Sequence, residues 1–455
     1  MVEGYRWQMV PAYALATLIF IATFRNLKIA VISLSDKEMQ DRKWIRITGA
    51  ILSLFLFIVS SALPILIPVL VLPDPTGTYA IGTQYLFLTG NGKEISAQVW
   101  YPAALIPPNT EPEPYWVNAD ELSKIFTKRV SLLMSLPSYW LTHYSLTKTH
   151  SYLDAPISND KNLFPVVVYS HGFFFGINND NTALMEELAS HGYIAFGIAH
   201  PYDSPFFIYP DKTIKAFGYR NELLFKQLQE FTADKHLFSL MEKLKETEDP
   251  SEQLEILEEI KSSDTTISWR EGLRERIGDV RFLIDEIEKM NRGGSGMFTG
   301  KLDLDRLGII GLSYGATTTY GVCLLDKRFK AGVNMDGFTP AGGMLKDDLT
   351  QPFMFMYSEN NHGMNDFFYK KAENTTYAIT IAGAAHSNYA DLSLVGGFQK
   401  LTGQLGRING NRCIRIISDY VLAFFDKHLK GNDSGLLDGS SPDYPEAEFK
   451  ARNQT

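Results

Sequence analysis

A serine between two glycines is the feature of this sequence with the clearest chemical meaning. Residues 306–312 read RLGIIGL, a run typical of a buried strand, and the pentapeptide GLSYG at 311–315 leads from it into the mostly apolar run ATTTYGVCLL, which predicts a helix. A serine at a sharp strand-to-helix turn has a strained backbone, and flanking glycines leave room for it. The pattern therefore predicts an exposed nucleophile at Ser313, with Gly311 and Gly315 as the glycines of the turn.

A serine nucleophile needs a base, and triads built on this kind of turn follow the chain order serine, acid, histidine. Three histidines follow Ser313. His386 is favoured because it follows the strand-like run TYAITIAG and opens a polar loop. His362 is the second candidate, in a polar loop after PFMFMYS. His428 lies near the charged end of a predicted helix, SDYVLAFFDKHLKG, where a surface residue is the ordinary explanation.

The acid has two candidates. Asp336 ends the apolar strand that follows the predicted helix, in VNMDG, and Glu359 follows the next strand, in SENNHG. A carboxylate at the end of an apolar strand is costly to bury unless it accepts hydrogen bonds or meets a cation, and a histidine Nδ1–H is a suitable partner. Glu359 fits a solvated loop residue. The residues therefore favour Asp336 and leave Glu359 as the alternative.

An oxyanion-binding site would combine the backbone N–H that follows the nucleophile with one from the loop after an early strand. Tyr314 supplies the first, and the loop 171–173, which follows the strand-like VVYS, supplies the second. Gly172 lets this loop turn its amides toward a pocket. His171 is expected to be structural, because the amides alone perform the chemistry.

The elements around these residues predict an α/β protein with a largely parallel sheet. A hairpin is predicted from Thr83 through an Asn91-Gly92 turn. Short apolar runs then alternate with helical patterns; they lie at 164–170, 193–199, 306–312, 330–336, 352–358 and 376–383. The charged, helix-forming segment 213–270 interrupts this alternation. We favour a solvated helical insertion there over a lid that gates the substrate.

The first 73 residues differ from the rest. Trp7–Phe24 and Ile47–Leu72 carry no charge over 18 and 26 residues, and two such segments predict two membrane helices rather than a cleaved signal peptide and a core helix. Six basic residues lie between them, whereas none follows until Lys93. This asymmetry predicts a cytoplasmic connecting loop and an extracytoplasmic main domain. The predicted organisation is a membrane anchor over 1–73, a catalytic domain over 74–430 and a polar tail over 431–455.

Composition and motifs narrow the classes of function. The net charge is −9, and no stretch interleaves arginine with aromatic residues, so nucleic-acid binding is not expected. Cys323 and Cys413 lie in apolar, helix-like runs and predict buried free thiols. No H-E-x-x-H motif or clustered metal-ligand spacing occurs, so neither a metal nor an organic cofactor is expected.

Three segments resemble one known family when they are taken together in chain order. They are VVYSHGFFFGINNDNTALMEELASHGYIAFGIAHPYDS, DLDRLGIIGLSYGATTTYGVCLLDKRFKAGVNMDG and ITIAGAAHSNYAD. The sequence is similar here to the platelet-activating factor acetylhydrolases of the plasma and intracellular type II group and their bacterial relatives. The similarity extends over about 83–430, apart from the charged insertion, and includes an early VWYP motif. It implies the α/β-hydrolase fold, preceded in this chain by two transmembrane helices.

The resemblance also implies the site. The family's triad falls on Ser313, Asp336 and His386, and its oxyanion amides fall on Phe173 and Tyr314. This chain departs from the family where GLSYG lacks the histidine that commonly follows the first glycine, and in its two membrane segments. Both departures leave the substrate open.

The expectation is a membrane-anchored serine esterase that releases short or oxidised acyl chains from the second position of phospholipids. Its expected partners are the ester or phospholipid substrate and the bilayer. A general carboxylesterase, lipase or polyester hydrolase on the same machinery is the first alternative, since fold and triad do not select a substrate. A catalytically silent binding module with the same fold is the second. The sequence predicts no oligomeric state.

Overall fold

The structure is a computed structural model of the chain. It describes residues 6–30, 36–133, 135–294, 296–339, 344–345, 347–395, 399–400 and 402–452, with the side chains of 25–46 and of Tyr219 left out.

Twelve strands lie within these residues. In chain order they are β1 (Ala80–Gly90), β2 (Lys93–Ala103), β3 (Ser151–Leu153), β4 (Phe164–Ser170), β5 (Ile194–Ala199), β6 (Phe206–Ile208), β7 (Ile214–Ala216), β8 (Leu302–Leu312), β9 (Phe329–Met335), β10 (Phe353–Ser358), β11 (Thr376–Ile381) and β12 (Ala447–Arg452). Ten form one sheet in the order β12-β11-β10-β9-β8-β4-β5-β2-β1-β3, and β6 pairs with β7. The six central strands, from β5 to β11 in this order, are parallel. The largely parallel sheet predicted from the sequence is confirmed.

Eleven helices lie within the described residues. They are α1 (Val10–Ala30), α2 (Asp36–Leu66), α3 (Ala119–Val130), α4 (Thr182–Ser190), α5 (Asn221–Ala233), α6 (Lys235–Glu246), α7 (Pro250–Ser262), α8 (Asp264–Arg292), α9 (Tyr314–Leu325), α10 (Asp366–Lys371) and α11 (Gly410–Phe425). On one face of the sheet α8, α9 and α10 enclose one apolar core, and on the other α4 and α11 enclose a second. Because both faces are covered, central strands such as β4 and β11 are buried along their whole length, which explains their continuous apolar sequences.

The segment 213–270 is largely helical, as predicted, although its first residues form β7. It is not simply solvated. The apolar faces of α6 and α7 join the core on one side of the sheet; the buried side chains are those of Leu237, Leu240, Leu244, Ile256, Leu257 and Ile260. The insertion is therefore an integral layer of the domain with a charged outer surface.

The N-terminal helices contain two windows that are long and apolar enough to cross a bilayer. These are Trp7–Phe24 and Ile47–Leu66, with 6% and 0% of their residues buried inside the structure. The predicted end of the second segment at Leu72 is wrong, because α2 ends at Leu66. Pro68 disfavours helical backbone at the residue before it. Beyond the helix, Leu70 and Leu72 pack into a core of the main domain, so that domain begins before residue 74.

The residues just before α1 also contact the main domain. Trp7 Nε1 donates a hydrogen bond of 3.1 Å to the carbonyl of Trp140, and the two indole rings lie 4.8 Å apart. The Tyr139 ring lies 5.6 Å from that of Trp7. Gln8 is buried and donates to the carbonyl of Ile67, just past α2. The helical pair and the main domain are therefore joined by packing as well as by the chain.

The predicted polar tail over 431–455 is wrong in one respect. Ala447–Arg452 forms β12, which pairs antiparallel with β11 at the end of the sheet. Leu437 and Ala447 are buried in the second core. The exposed edge of β11 would otherwise present unpaired backbone groups, and β12 supplies partners for them. The alternation in AEFKAR is too short to be a strong strand signal, which is why the sequence suggested a tail.

Candidate active site

Ser313 lies at the turn between β8 and α9, with φ of 57° and ψ of −118°. Few non-glycine residues adopt such a conformation, so the backbone is strained there. A Cβ at Gly311 would lie 2.2 Å from the carbonyl oxygen of Gly315, and a Cβ at Gly315 would lie 1.9 Å from that of Ser170. Only glycine fits at either position, so the turn has the close packing that the sequence pattern predicts.

Asp336 directly follows β9 and is buried. Its Oδ2 lies 2.7 Å from His386 Nδ1 and accepts hydrogen bonds from Ser358 Oγ at 3.0 Å and Asn361 Nδ2 at 2.9 Å. Its Oδ1 accepts from the Ser358 amide at 2.7 Å. The costly burial of this carboxylate is thus compensated by four contacts, which also fix its orientation toward the histidine.

His386 begins a short 3-10 turn, His386–Tyr389, after β11. Burial lowers the pKa of its imidazole, but the hydrogen bond and the negative charge of Asp336 outweigh this effect, and the pKa is raised above 6.5. Half of the side-chain surface, 50%, is nevertheless open to solvent. Asn388 Oδ1 accepts from the amides of Ala385 and Gly406 at 2.9 Å and 2.8 Å and so holds the loop.

Ser313 Oγ and His386 Nε2 belong to neighbouring loops but share no hydrogen bond in the structure. Ser313 donates its amide to the carbonyl of Met335, next to Asp336, and a Cβ at Gly337 would lie 2.3 Å from the Ser313 carbonyl oxygen. Hydrogen bonds of this type are often long without substrate and shorten in the reacting complex. The loops that follow β8, β9 and β11 therefore converge at the carboxyl ends of the parallel strands.

The alternative candidates lie in other contacts. Glu359 is exposed and pairs with Arg407 at 2.6 Å. His362 Nδ1 lies 2.7 Å from Thr380 Oγ1. His428 Nε2 lies 3.2 Å from the Tyr377 hydroxyl, and burial lowers the pKa of this histidine to about 4. None of the three forms a hydrogen bond or ion pair with Asp336 or Ser313 within the described part of the chain.

The loop after β4 lies beside the serine turn. A Cβ at Gly172 would be 3.5 Å from Ser313 Cβ, and the rings of Phe173 and Tyr314 lie 5.6 Å apart, edge to face. The backbone amides of Phe173 and Tyr314 donate to no protein group within the residues that the structure describes. Two unused N–H donors next to a serine hydroxyl are the arrangement that binds a negatively charged oxygen.

Buried side chains behind the loop hold it in place. Arg276, from α8, donates to the carbonyls of His171 and Gly172, at 2.6 Å and 3.0 Å. Arg129, from α3, donates to the carbonyl of Phe174 at 2.9 Å. His171 is fully buried, and burial lowers its pKa well below 6.5, so the neutral ring has the structural setting that we expected.

Sequence reasoning missed several of these residues, including Ser358, Asn361 and both arginines. For Arg276 a signal was present. It lies at helical spacing from Leu273, Val280 and Leu283, which form the apolar face of α8. A cation on an apolar stripe marks a buried charge that must have a polar partner.

An aromatic cluster lies at the same end of the strands, beside the serine turn. Trp269, at the end of the insertion, lies 4.7 Å from Phe173, 5.1 Å from Tyr314 and 4.8 Å from Phe231, measured between ring centroids. The insertion also contacts the opposite side of the site, where Lys245 Nζ donates to the Asn360 carbonyl at 3.0 Å. It therefore contacts both the loop after β4 and the loop that supports Asp336.

A second group of serine, histidine and aspartate lies beneath the turn. His200 Nε2 lies 2.9 Å from Ser170 Oγ, and His200 Nδ1 lies 3.3 Å from Asp279 Oδ2. Ser170 and His200 are completely buried. Asp279 also pairs with Lys93 Nζ at 2.7 Å. Because its serine and histidine are closed to solvent, this group belongs to the packing of the domain.

The described residues contain no group of three or more His, Cys, Asp or Glu side chains that could hold a metal ion. Cys323 and Cys413 are free and buried, as predicted.

Comparison with known protein sequences gives three findings. The sequence model of the family described as "Platelet-activating factor acetylhydrolase, isoform II" matches residues 67–439. A platelet-activating factor acetylhydrolase from Cavia porcellus is 24% identical over 375 residues, which are 79% of this chain and 78% of that protein. A probable 1-alkyl-2-acetylglycerophosphocholine esterase from Arthroderma benhamiae is 29% identical over 169 residues, or 32% of this chain and 43% of that protein.

A similar solved structure is the ferulic acid esterase from Streptomyces cinnamoneus. It aligns with a TM-score of 0.60 and 21% identity, over 84% of this chain and 99% of the other. At this identity the likeness shows a shared fold.

Proposed function

Because the chain belongs to the platelet-activating factor acetylhydrolase isoform II family, and is a serine ester hydrolase of the α/β-hydrolase fold, we propose that Ser313, His386 and Asp336 form its catalytic triad. The observation that carries this proposal is the strained Ser313 turn beside the Asp336–His386 pair, whose oxygen and nitrogen lie 2.7 Å apart. The order serine, aspartate, histidine is the one that this fold uses.

In the proposed mechanism Ser313 Oγ attacks the ester carbonyl while His386 Nε2 accepts its proton. Asp336 holds Nδ1–H and stabilises the imidazolium that forms. The carbonyl oxygen becomes negatively charged and accepts hydrogen bonds from the amides of Phe173 and Tyr314. The tetrahedral intermediate then expels the alcohol, which takes the proton from His386. A water molecule, activated by the same histidine, releases the acyl group by the reverse sequence.

For the substrate, we propose a phospholipid with a short or oxidised acyl chain at its second position. The names of the relatives from Cavia porcellus and Arthroderma benhamiae support this class. The aromatic cluster around Trp269 supports an apolar substrate, because it presents apolar surface next to the proposed oxyanion amides.

We further propose that α1 and α2 anchor the enzyme in a bilayer with the catalytic domain outside the cytoplasm. Their apolar windows are almost entirely unburied within the protein, and basic residues are concentrated between them. Alkaline phosphatase fused after Thr78 is expected to be active in intact cells. An inactive but stable fusion would place the domain on the cytoplasmic side.

A fluorophosphonate probe tests the catalytic proposal. Wild-type protein is expected to be labelled, whereas the Ser313→Ala protein is not. Circular dichroism is expected to show that the two proteins are folded alike. Hydrolysis of vesicles containing 2-acetyl, 2-butanoyl and 2-palmitoyl phospholipids then tests the substrate. Preference for the short chains supports it, and turnover confined to soluble esters favours a general carboxylesterase. A folded wild-type protein that neither reacts with the probe nor hydrolyses any ester would favour a binding module.

A further inference from the structure

Arg276 is fully buried directly behind the loop that carries one proposed oxyanion amide. Its exposed fraction is 0%, and its guanidinium contacts the Asp203 carboxylate as well as the carbonyls of His171 and Gly172. A buried guanidinium needs polar partners, and these contacts supply them for Nη1 and Nη2, whereas Nε has no partner within the described residues. They do not explain why two of them are backbone carbonyls of this particular loop.

The Gly172 carbonyl and the Phe173 N–H belong to the same peptide group. The peptide is planar and trans, so its C=O and N–H point in opposite directions. Arg276 Nη2 donates to the Gly172 oxygen at 3.0 Å from one side. The Phe173 N–H must then point to the other side, away from the guanidinium, where it has no protein acceptor within the described residues. One hydrogen bond thus sets the direction of the proposed oxyanion donor.

The same guanidinium also contacts the residue that carries the second donor. Its central carbon lies 4.7 Å from the centroid of the Tyr314 ring, and the Tyr314 hydroxyl donates to the carbonyl of Trp269. Tyr314 is the first residue of α9, and its position therefore fixes the N–H that follows Ser313. Arg276 is in contact with both halves of the proposed oxyanion site.

The positive charge of Arg276 favours a negatively charged oxygen on the opposite side of the loop. Arg129 is also completely buried, and although burial lowers its pKa to about 10, it stays charged at neutral pH. Arg276 is the second cation, since arginine remains charged in proteins. Asp203 is the anion between them; burial raises its pKa, although both arginines counter that effect. With His171 neutral, these three side chains together carry a net positive charge.

We propose that Arg276 is a positioning residue of the oxyanion site, acting through the Gly172–Phe173 peptide and the Tyr314 ring. The inference rests on the proposed triad. A hydrogen bond to the carbonyl polarises the peptide, which makes its N–H a stronger donor, and cooperative strengthening of this kind is expected in a buried setting. The effect is larger in the transition state than in bound substrate, because the full negative charge exists only there.

The test compares Arg276→Lys and Arg276→Gln with Arg129→Lys. The control residue is equally buried and supports the same loop, but its loop contact is with the carbonyl of the Phe174–Phe175 peptide, which carries no proposed donor. All kinetic constants are normalised to the fraction of protein labelled by fluorophosphonate. The Arg276 variants are expected to lose about 10- to 100-fold in kcat, less than loss of a whole oxyanion donor, with KM changed less than threefold. Arg129→Lys keeps its positive charge and, within the described residues, lacks a contact with the Gly172–Phe173 peptide, so its loss in kcat per labelled site should be clearly smaller, about threefold at most.

A trifluoromethyl ketone ester analogue gives a readout that a merely structural role would not move. Its adduct with serine carries the negative oxygen, so its inhibition constant should rise in the Arg276 variants by the same factor as kcat falls. Equal losses in Arg276→Lys and Arg129→Lys, or an unchanged inhibition constant, would overturn the inference. Ser313→Ala distinguishes a failure of this inference from a failure of the proposed triad. If activity survives this change, the triad assignment is wrong.

Asp203→Asn covers the case in which neither Arg276 variant folds. It removes the negative charge beside Arg276 while leaving the guanidinium and both carbonyl acceptors in place. The expected result is lower thermal stability with kcat within about threefold of wild type per labelled site. A loss of more than tenfold would show that the ion pair, rather than the contact with the Gly172 carbonyl, governs the site, and the inference would then be wrong.

Discussion

Two groups of serine, histidine and aspartate lie near one another in this protein, and they differ in what surrounds them. In the buried group, His200 has hydrogen-bonding distances to both Ser170 and Asp279, 2.9 Å and 3.3 Å. In the group at the carboxyl ends of the strands, His386 is hydrogen-bonded to Asp336 but not to Ser313. By hydrogen bonds alone, the buried group is the more complete triad.

The difference is in backbone and access. Ser170 ends an ordinary strand and is completely buried, whereas Ser313 has a strained backbone and His386 has half of its surface open. His200 is neutral because burial and the charge of Arg276 lower its pKa well below 6.5, whereas Asp336 raises the pKa of His386. A triad is therefore recognised by a reachable nucleophile and a base whose pKa favours accepting a proton. A connected trio of side chains is insufficient.

The largest predicted contrast is between the two serines. Ser313→Ala should lower kcat by about 10⁴-fold or more, because the nucleophile is lost. Ser170→Ala should leave kcat within a few-fold and lower the free energy of unfolding by about 1 kcal/mol, since it removes one buried hydrogen bond. Ester hydrolysis and thermal unfolding of both variants measure this. A Ser170→Ala protein that folds normally but has no activity would contradict the distinction between the two groups.

The two aspartates should separate in a similar way. Asp336→Asn is expected to lower kcat by about 10⁴-fold with little loss of fold, because the imidazole loses the partner that orients it. Asp279→Asn removes the buried carboxylate partner of Lys93, whose own side chain is 34% exposed and can be rehydrated. The change should lower the unfolding free energy by about 1–3 kcal/mol, because it also disturbs the buried contact with His200. The discriminating measurement is activity per fluorophosphonate-labelled site alongside urea unfolding, and a catalytic loss in the folded Asp279→Asn protein would contradict the assignment.

The pH dependence should report His386 and not His200. The base must be neutral to accept the serine proton, so kcat/KM should fall as pH falls through the pKa of His386, which lies above 6.5. Asp336→Asn removes the hydrogen bond and charge that raise this pKa, leaving burial to lower it, so the inflection should move to lower pH. His200 stays neutral over the same range, and Ser170→Ala should leave the inflection in place.

The smallest predicted effect concerns support of the acid. Asn361→Ala removes one of the donors to Asp336 Oδ2, while both Ser358 contacts remain. The loss should be about 1 kcal/mol, or roughly fivefold in kcat. Glu359→Gln is the matched control in the same loop, because Glu359 pairs with Arg407 on the surface. Equal kinetics of the two variants would show that Asn361 does not support the acid.

The proposed catalytic residues were accessible from sequence because each follows a strand whose apolar pattern is strong. Asp336 comes directly after β9 and His386 follows β11 after a short loop, and the parallel order brings these ends together. The oxyanion half was only partly accessible. Gly172 and Phe173 were predicted, but the guanidinium behind them comes from a helix more than 100 residues later, a separation of 104 from Gly172. Local patterns carry no information about such a contact until the helix is placed.

The errors at the two ends of the catalytic domain have the same origin. The apolar sequence predicted that the second membrane segment continues to Leu72. Leu70 and Leu72 are instead buried in a core of the protein. Polarity suggested a tail after Lys430, although β12 is recruited by the open edge of β11. In both cases a tertiary partner decides the structure, and composition does not identify that partner.

The short connection after α2 has a consequence for how the enzyme would meet its substrate. Leu70 and Leu72 are packed into the catalytic domain within a few residues of the end of α2, and the Trp7 ring packs against that of Trp140. In the proposed anchoring, the catalytic domain has no slack with which to reach away from the bilayer. Its search would be confined to two dimensions, so the rate would follow the surface density of substrate, in molecules per unit area of membrane, rather than its bulk concentration.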